Sequence, residues 1–236
     1  MDNIHIAIMQ PYLFPYLGYF QLINSVDKFV IHDDVKFIKG GWINRNCILL
    51  NNKNFLFTLS LKKGSDYLNI NQRFFVDYIE DEKKKIVTKL SSAYKKAPYF
   101  VDIINLISEI LSYKGLNVSL MITNSLRKLC NYLDIKTQFF ISSEIEKDDS
   151  LKGSERVINI VKVLGGNHYI NPIGGVDLYS KEKFLKEGIK LSFIKTRDIR
   201  YKQFDTEFIP NLSIIDVLMF NSKEEVKKLL DEYNLV

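Results

Sequence analysis

Cysteine is scarce in this sequence: two residues, Cys47 and Cys130, in a chain of 236. Two thiols exclude a disulfide framework and a cysteine-based zinc site, and both read as reduced thiols in or near a core. Five prolines and eleven glycines are too few for a collagen-like or low-complexity chain, and a hydrophobic fraction of 46% argues against intrinsic disorder. No apolar run approaches the roughly 18 residues that a membrane-spanning helix needs. The first residues, Met1-Asp2-Asn3-Ile4, lack the basic stretch and small-residue cleavage site of a signal peptide, so a cytoplasmic location is the expectation. A large excess of one charge is also missing, with 33 Lys and Arg against 28 Asp and Glu. The densest cationic runs, Lys83-Lys84-Lys85 and Lys95-Lys96, have acidic neighbours and read as solvated helix faces, so nucleic acid is not indicated.

What is present is an alternation of short apolar runs with helical patterns. Ile4 to Met9 is apolar and β-branched and stops at Gln10-Pro11, which predicts a buried strand. A loop of prolines and aromatics leads to a short helix over 17–25, and Lys28 to His32 forms a second strand. Strand, helix and strand within about 30 residues make a βαβ unit and predict a parallel sheet. Asn51 to Asn54 separates two apolar runs and predicts a β-hairpin. Residues 80–134 read as three helical pieces, broken at Ala97-Pro98 and Lys114-Gly115, with Leu120, Met121 or Ile122, Ser125, Leu126, Leu129 and Leu133 as the stripe of the third. Strands follow at 137–141, 168–170 and 189–194. Helices follow at 153–164, around 184, at 213–220 and at 223–233. The expectation is a single α/β domain over 1–236, with a Rossmann-like, mostly parallel sheet and residues 80–134 as a helical cap or insertion.

Three polar clusters fall at the carboxyl ends of predicted strands, where open α/β sheets bind ligands. The first is Gln10, Tyr12, Tyr16, Gly18 and Tyr19, in which Gly18 near a helix start would let an anion approach the backbone. Tyr16-Leu17-Gly18-Tyr19 resembles the His-x-Gly-His signature of HIGH-type nucleotidyltransferases, with both histidines replaced by tyrosine. The second cluster is His32-Asp33-Asp34 together with Lys39, Trp42, Asn44, Arg45 and Asn46. His32 and Asp34 should share a face, with Asp33 turned away. An imidazole beside carboxylates suits a general base, Trp42 offers a stacking face, and Arg45 offers a fork for phosphate or carboxylate. The third is Asn171, Gly174 and Gly175, whose paired glycines suit a phosphate nest. His5 and His168 read as structural. No Walker A loop, Gly-x-Ser-x-Gly elbow, His-Glu-x-x-His helix or Gly-x-Gly-x-x-Gly turn occurs, and no metal site is predicted.

The run from Ile8 to Ile23, the run from Val26 to Asn46, Tyr169 to Gly175, and Leu212 to Asp216 resemble the WbqC-like family over nearly the whole chain. Cys47 departs from that pattern, in which a basic residue is commoner. The resemblance implies a bacterial protein of surface-polysaccharide (O-antigen) synthesis, a transferase that N-acylates a nucleotide-linked amino sugar with an amino acid such as glycine. In that role His32 would be the base, oriented by Asp33 or Asp34. Tyr16, Tyr19 and the Gly18 N–H would face the developing negative charge. The cofactor is undetermined, and so is the activated acyl donor, be it an adenylate, a thioester or an aminoacyl-tRNA. The alternatives are a nucleotidyl- or adenylate-forming enzyme and a non-catalytic sugar-nucleotide binding protein.

Overall fold

The computed structural model describes residues 3–204 and 207–236. Its strands are β1 (His5–Met9), β2 (Lys28–Ile31), β3 (Arg45–Leu50), β4 (Lys53–Thr58), β5 (Gln138–Ile141), β6 (His168–Pro172), β7 (Lys190–Thr196) and β8 (Tyr233–Leu235). Six of them form one sheet in the order β5-β2-β1-β6-β7-β8, parallel throughout except for β8, which pairs antiparallel with β7. Counted along the sheet alone this is 3-2-1-4-5-6, the order of doubly wound nucleotide-binding sheets. The fold is therefore mixed α/β with a mostly parallel sheet.

The helices are α1 (Leu17–Asn24), α2 (Ile79–Tyr94), α3 (Phe100–Leu111), α4 (Val118–Tyr132), α5 (Gly153–Val163), α6 (Lys181–Lys186), α7 (Ile214–Phe220) and α8 (Lys223–Leu229). Alternating side chains of the strands feed two cores. Ala7, Phe29, Ile31, Ile170 and Ile194 join α1, the β3–β4 hairpin, α2–α4, α7 and α8 on one face. Ile6, Ile8, Val30, Tyr169, Leu191 and Phe193 join α5 and α6 on the other. The predicted helical insertion is thus part of the crossover from β2 to β5, and its apolar stripes run into the same core as the sheet.

Local chemistry explains most boundaries. The hairpin turns on Asn51 and Asn52 alone, at φ of 51° and 58°, a left-handed pair that asparagine tolerates and that matches strand twist. β4 therefore begins at Lys53, two residues before the predicted apolar run. Asn117, Ser180, Ser213 and Ser222 cap α4, α6, α7 and α8 by accepting backbone N–H hydrogen bonds.

Three expectations need correction. Leu120 is exposed, and Met121 takes the core position beside Ile122. Helix α8 stops at Leu229, and the tail returns as β8, which is only three residues long and set by its long-range pairing with β7. Lys83 is not solvated: its buried ammonium donates to Glu80 at 2.8 Å and to the Tyr113 carbonyl at 2.6 Å, holding α2 to the chain after α3.

Candidate active-site crevice

Strands β1 and β6 pair only at His5↔His168 and Ile6↔Tyr169, whereas β6 and β7 stay paired over five positions. Beyond Ile6 the two strands splay, and the gap falls where the strand order reverses. The loops leaving β1 and β6 therefore diverge and leave a crevice outside the carboxyl ends, the expected seat of a ligand in such a sheet. The cavity there measures about 720 Å³. Gln10, Tyr12, Tyr16 and Gly18 line one side, His32 the floor beside β2, and Asn171, Gly174, Gly175 and Tyr179 the other side. Lys195 and Thr196 at the end of β7 complete the wall.

The amino end of α1 opens on this crevice through Gly18. Tyr16 is its N-cap but makes no side-chain cap, so the first-turn N–H groups of Leu17 and Gly18 lack intrahelical acceptors. A Cβ on residue 18 would lie 2.4 Å from Cε2 of Tyr16 and 2.7 Å from Oγ1 of Thr196. A side chain at this position would have to push aside the Tyr16 ring, which lies against the first turn of the helix, and the Thr196 hydroxyl. Burial raises the pKa of both Tyr12 and Tyr16, so both hydroxyls are neutral hydrogen-bonding groups. Tyr19 is different. Its ring is buried and its hydroxyl donates to the Gln10 carbonyl at 2.8 Å, so it braces the loop and does not reach the crevice.

His32 and Asp34 do face one another, with Nε2 and Oδ1 3.8 Å apart, longer than a hydrogen bond. Both atoms are buried and unpartnered among the described residues. Burial pushes the His32 pKa down to about 4, with Asp34 pulling against it and Arg156 and Lys147 adding to it. The imidazole is therefore neutral at pH 7 and a much weaker base than its ordinary value of 6.5 implies. Asp34 is itself held by Lys147 (2.8 Å) and Arg156 (2.6 Å). Burial opposes its ionisation, but these two cations outweigh that and its pKa is lowered. Asp33 turns away, as the alternation predicts, and accepts from the Ser143 N–H (3.0 Å) and hydroxyl (2.8 Å). It locks the end of β2 to the 3-10 turn Ser142–Glu144 and does not reach the crevice. Lys147 and Arg156 escape the sequence reading because one lies in a polar loop and the other in the first turn of α5.

A pH dependence of stability follows. His32 and His168 both have pKa values lowered to about 4, burial being the main cause in each. The unfolded chain binds these protons from about pH 6.5 downward, whereas the folded chain resists until about 4, so stability is full above 6.5 and is lost across that window. Urea midpoints should fall steadily from pH 7.5 to 4.5, and the slope should be shallower in His168→Asn. A midpoint independent of pH over this range would contradict the burial argument.

The remaining predicted residues divide. Trp42 and Asn46 line a smaller pocket that shares Tyr12 and Tyr16 with the crevice. Asn46 is buried, and its amide is fully engaged with Leu13 O, Phe14 O and Cys47 N. Arg45 is not a free fork: Nε donates to Gly41 O at 3.0 Å and Nη2 to Gly40 O, closing its own loop. Asn44 donates to Leu59 O and Lys39 pairs with Asp66, both away from the crevice. Asn171 accepts from the Tyr169 hydroxyl and donates to Pro172 O. A Cβ on Gly175 would fall 2.1 Å from Asn171 Nδ2, whereas one on Gly174 would meet nothing within 4 Å. Gly175→Ala should therefore displace the Ile173–Leu178 turn and weaken the fold, while Gly174→Ala should leave thermal stability unchanged. Equal melting temperatures for the two variants would refute the distinction. Among the described residues no group of three or more His, Cys, Asp or Glu is placed to hold a metal ion, and no helix is long and apolar enough to cross a membrane.

The sequence model of the WbqC-like protein family matches residues 10–228. The chain belongs to the WbqC-like family. All the crevice-lining residues named above fall within the matched span. A protein of Mycobacterium tuberculosis (strain ATCC 25618 / H37Rv), described as uncharacterized, is 29% identical over 228 residues, 95% of this chain and 96% of that protein. No solved structure matches the chain.

Proposed function

We propose that this WbqC-like chain is a transferase that takes a nucleotide-linked amino sugar into the crevice and joins an amino-acid acyl group to the sugar amine. The observation that carries the reading is the crevice at the reversal of strand order, with the amino end of α1 on its wall. Free N–H groups at a helix start favour a diphosphate. Tyr16 also lines three neighbouring cavities: the crevice, the Trp42 pocket and a third of about 380 Å³ walled by Leu17, Arg197, Tyr201 and Pro210. A two-substrate reaction needs such separate spaces. The tie to surface-polysaccharide building blocks and to glycine rests on the family resemblance.

The amine attacks the acyl carbonyl, a C–N bond forms, the donor's leaving group departs, and one proton leaves the nitrogen. A neutral His32 accepts a hydrogen bond from that amine and aims its lone pair. With so low a pKa, His32 contributes by positioning more than by strong base catalysis. Asp34 would steady the charge if the proton passes to the ring. The nucleotidyl-transfer alternative is weakened because Tyr19 is buried and only Tyr16 of the pair reaches the site.

Calorimetry against a panel of nucleotide sugars with and without a free amine should find the amino sugars bound most tightly. Incubation with an amino-acyl adenylate, thioester or aminoacyl-tRNA should then add one amino-acid residue to the sugar, seen by mass spectrometry. His32→Asn should lower turnover about 10- to 100-fold with little change in binding, less than the 10²–10⁴ expected for a strong general base. Tight binding without any transfer would make this a sugar-nucleotide binding protein. Pyrophosphate exchange into ATP would move it to the adenylate-forming class.

A further inference from the structure

Beside the crevice, Tyr12, Tyr16 and Trp42 wall a pocket of about 310 Å³, completed by Pro15, Asn46 and Asn211. Trp42 is 45% exposed and Tyr16 39%. Large aromatic surfaces left in water beside a cavity call for an occupant. These rings are also held in place before anything binds. The Trp42 carbonyl accepts from Leu13 N at 3.1 Å, and the Arg45 guanidinium lies 5.8 Å from the centre of its ring. Arg45 is fixed in turn by the carbonyls of Gly40 and Gly41. Tyr12 is buttressed by the buried Tyr19 ring, 5.6 Å away centre to centre.

The polar inventory selects the class of ligand. Asn46 has no amide hydrogen left to donate, and its Oδ1 already accepts from Cys47 N. That leaves the side chain of Asn211, the Trp42 indole N–H and the hydroxyls of Tyr12 and Tyr16 as the polar groups of the wall. A sugar ring carries several hydroxyls, each needing a partner when buried. A nucleobase has two apolar faces and a short polar edge, and aromatic side chains stack on every base. The Tyr16 ring, which lines the pocket, also packs on the first turn of α1, and the crevice on which Gly18 opens shares Tyr12 and Tyr16 with the pocket.

We propose that the Tyr12–Tyr16–Trp42 pocket seats the base of a nucleoside diphosphate, whose phosphates pass Tyr16 to the start of α1 while the sugar enters the crevice. The proposal deepens the sugar-nucleotide reading and rests on it for the crevice end of the ligand. Trp42 is the sole tryptophan of the chain, so its emission reports on this pocket alone.

The test titrates the full chain with ADP, GDP, UDP and CDP, and with a sugar 1-phosphate and pyrophosphate as base-free probes. Emission and calorimetry are followed in parallel. At least one nucleoside diphosphate should quench Trp42 saturably at its calorimetric affinity, and the base-free probes should leave emission unchanged. Trp42→Ala, with unchanged melting temperature, should weaken that nucleotide tenfold or more in calorimetry. Nucleotide binding that neither quenches Trp42 nor weakens in Trp42→Ala overturns the pocket assignment while sparing the crevice. Quenching by nucleoside diphosphates without added affinity from any attached sugar supports the pocket and overturns the crevice reading. No nucleotide binding at all overturns both.

Discussion

Asp216→Ala is expected to cost at least about 3 kcal/mol and to leave the chain partly unfolded at ordinary temperatures. Asp216 is completely buried in the first turn of α7. Its carboxylate accepts from the Tyr94 hydroxyl (2.8 Å), the Tyr201 hydroxyl (2.7 Å) and Gln203 Nε2 (2.8 Å). Tyr94 in turn accepts from Leu49 N at 2.8 Å, and Gln203 also bonds both the N–H and the carbonyl of Ile209. One carboxylate thus joins α2, the β3–β4 hairpin, the loop after β7 and α7. Burial raises its pKa and the three donated hydrogen bonds oppose that rise. Alanine would strand the buried donors of Tyr94 and Gln203, each costing about 1–3 kcal/mol, and the half-buried Tyr201 hydroxyl, and leave a cavity as well. A whole domain is stable by only about 5–15 kcal/mol. The amide introduced by Asp216→Asn would keep one acceptor and replace the other by a donor that a tyrosine oxygen can accept, so this variant should lose about half as much. Urea unfolding of the two variants decides the matter, and a loss below about 1 kcal/mol for Asp216→Ala would rule out this role for the network.

None of that network is legible in the sequence, although Leu212 to Asp216 is one of the stretches that resemble the family. Its members lie 13, 15 and 122 positions from Asp216, and no periodicity relates them. The sheet is the opposite case. β1, β2, β5, β6 and β7 are short β-branched or aromatic runs bounded by polar residues, so local pattern alone marks them. β8 has three residues and no alternation, and only its partner β7 makes it a strand. The crevice lies between these extremes. Gln10, Tyr16, His32 and Gly174 reach it because they follow strand ends, a topological rule that sequence can carry. Position near a strand end says nothing of how a side chain is engaged, and that is why Arg45, Asn44 and Tyr19 turn out to bind the protein's own backbone. It also hides the drop in the His32 pKa, which depends on burial against Asp34, Lys147 and Arg156.

Asp34→Ala is expected to be as damaging as the loss of Asp216, for an electrostatic reason. The Lys147 side chain is 2% exposed and that of Arg156 15%, and both direct a cation at Oδ2 of Asp34. The nearest other carboxylate, Asp149, is 3.5 Å from each cation but 78% exposed, so water screens it. Removing Asp34 leaves two poorly solvated cations facing each other, and breaking a buried ion pair in this way costs about 3–5 kcal/mol. Deleting a cation together with the carboxylate removes most of that penalty, so Asp34→Ala with Lys147→Met should be more stable than Asp34→Ala alone. Acid should act on this cluster in its own window. The folded-state pKa of Asp34 lies below that of the unfolded chain, so its contribution is complete above about pH 4 and fades only as pH falls further. The histidine losses come earlier, between about 6.5 and 4. Wild-type urea midpoints should therefore decline in two stages, and the later one, shared with other carboxylates held below their usual range such as Asp27 and Glu80, should be smaller in Asp34→Ala. A double variant less stable than Asp34→Ala would mean that Lys147 stabilises the fold through its Ser142 carbonyl contact and not through Asp34.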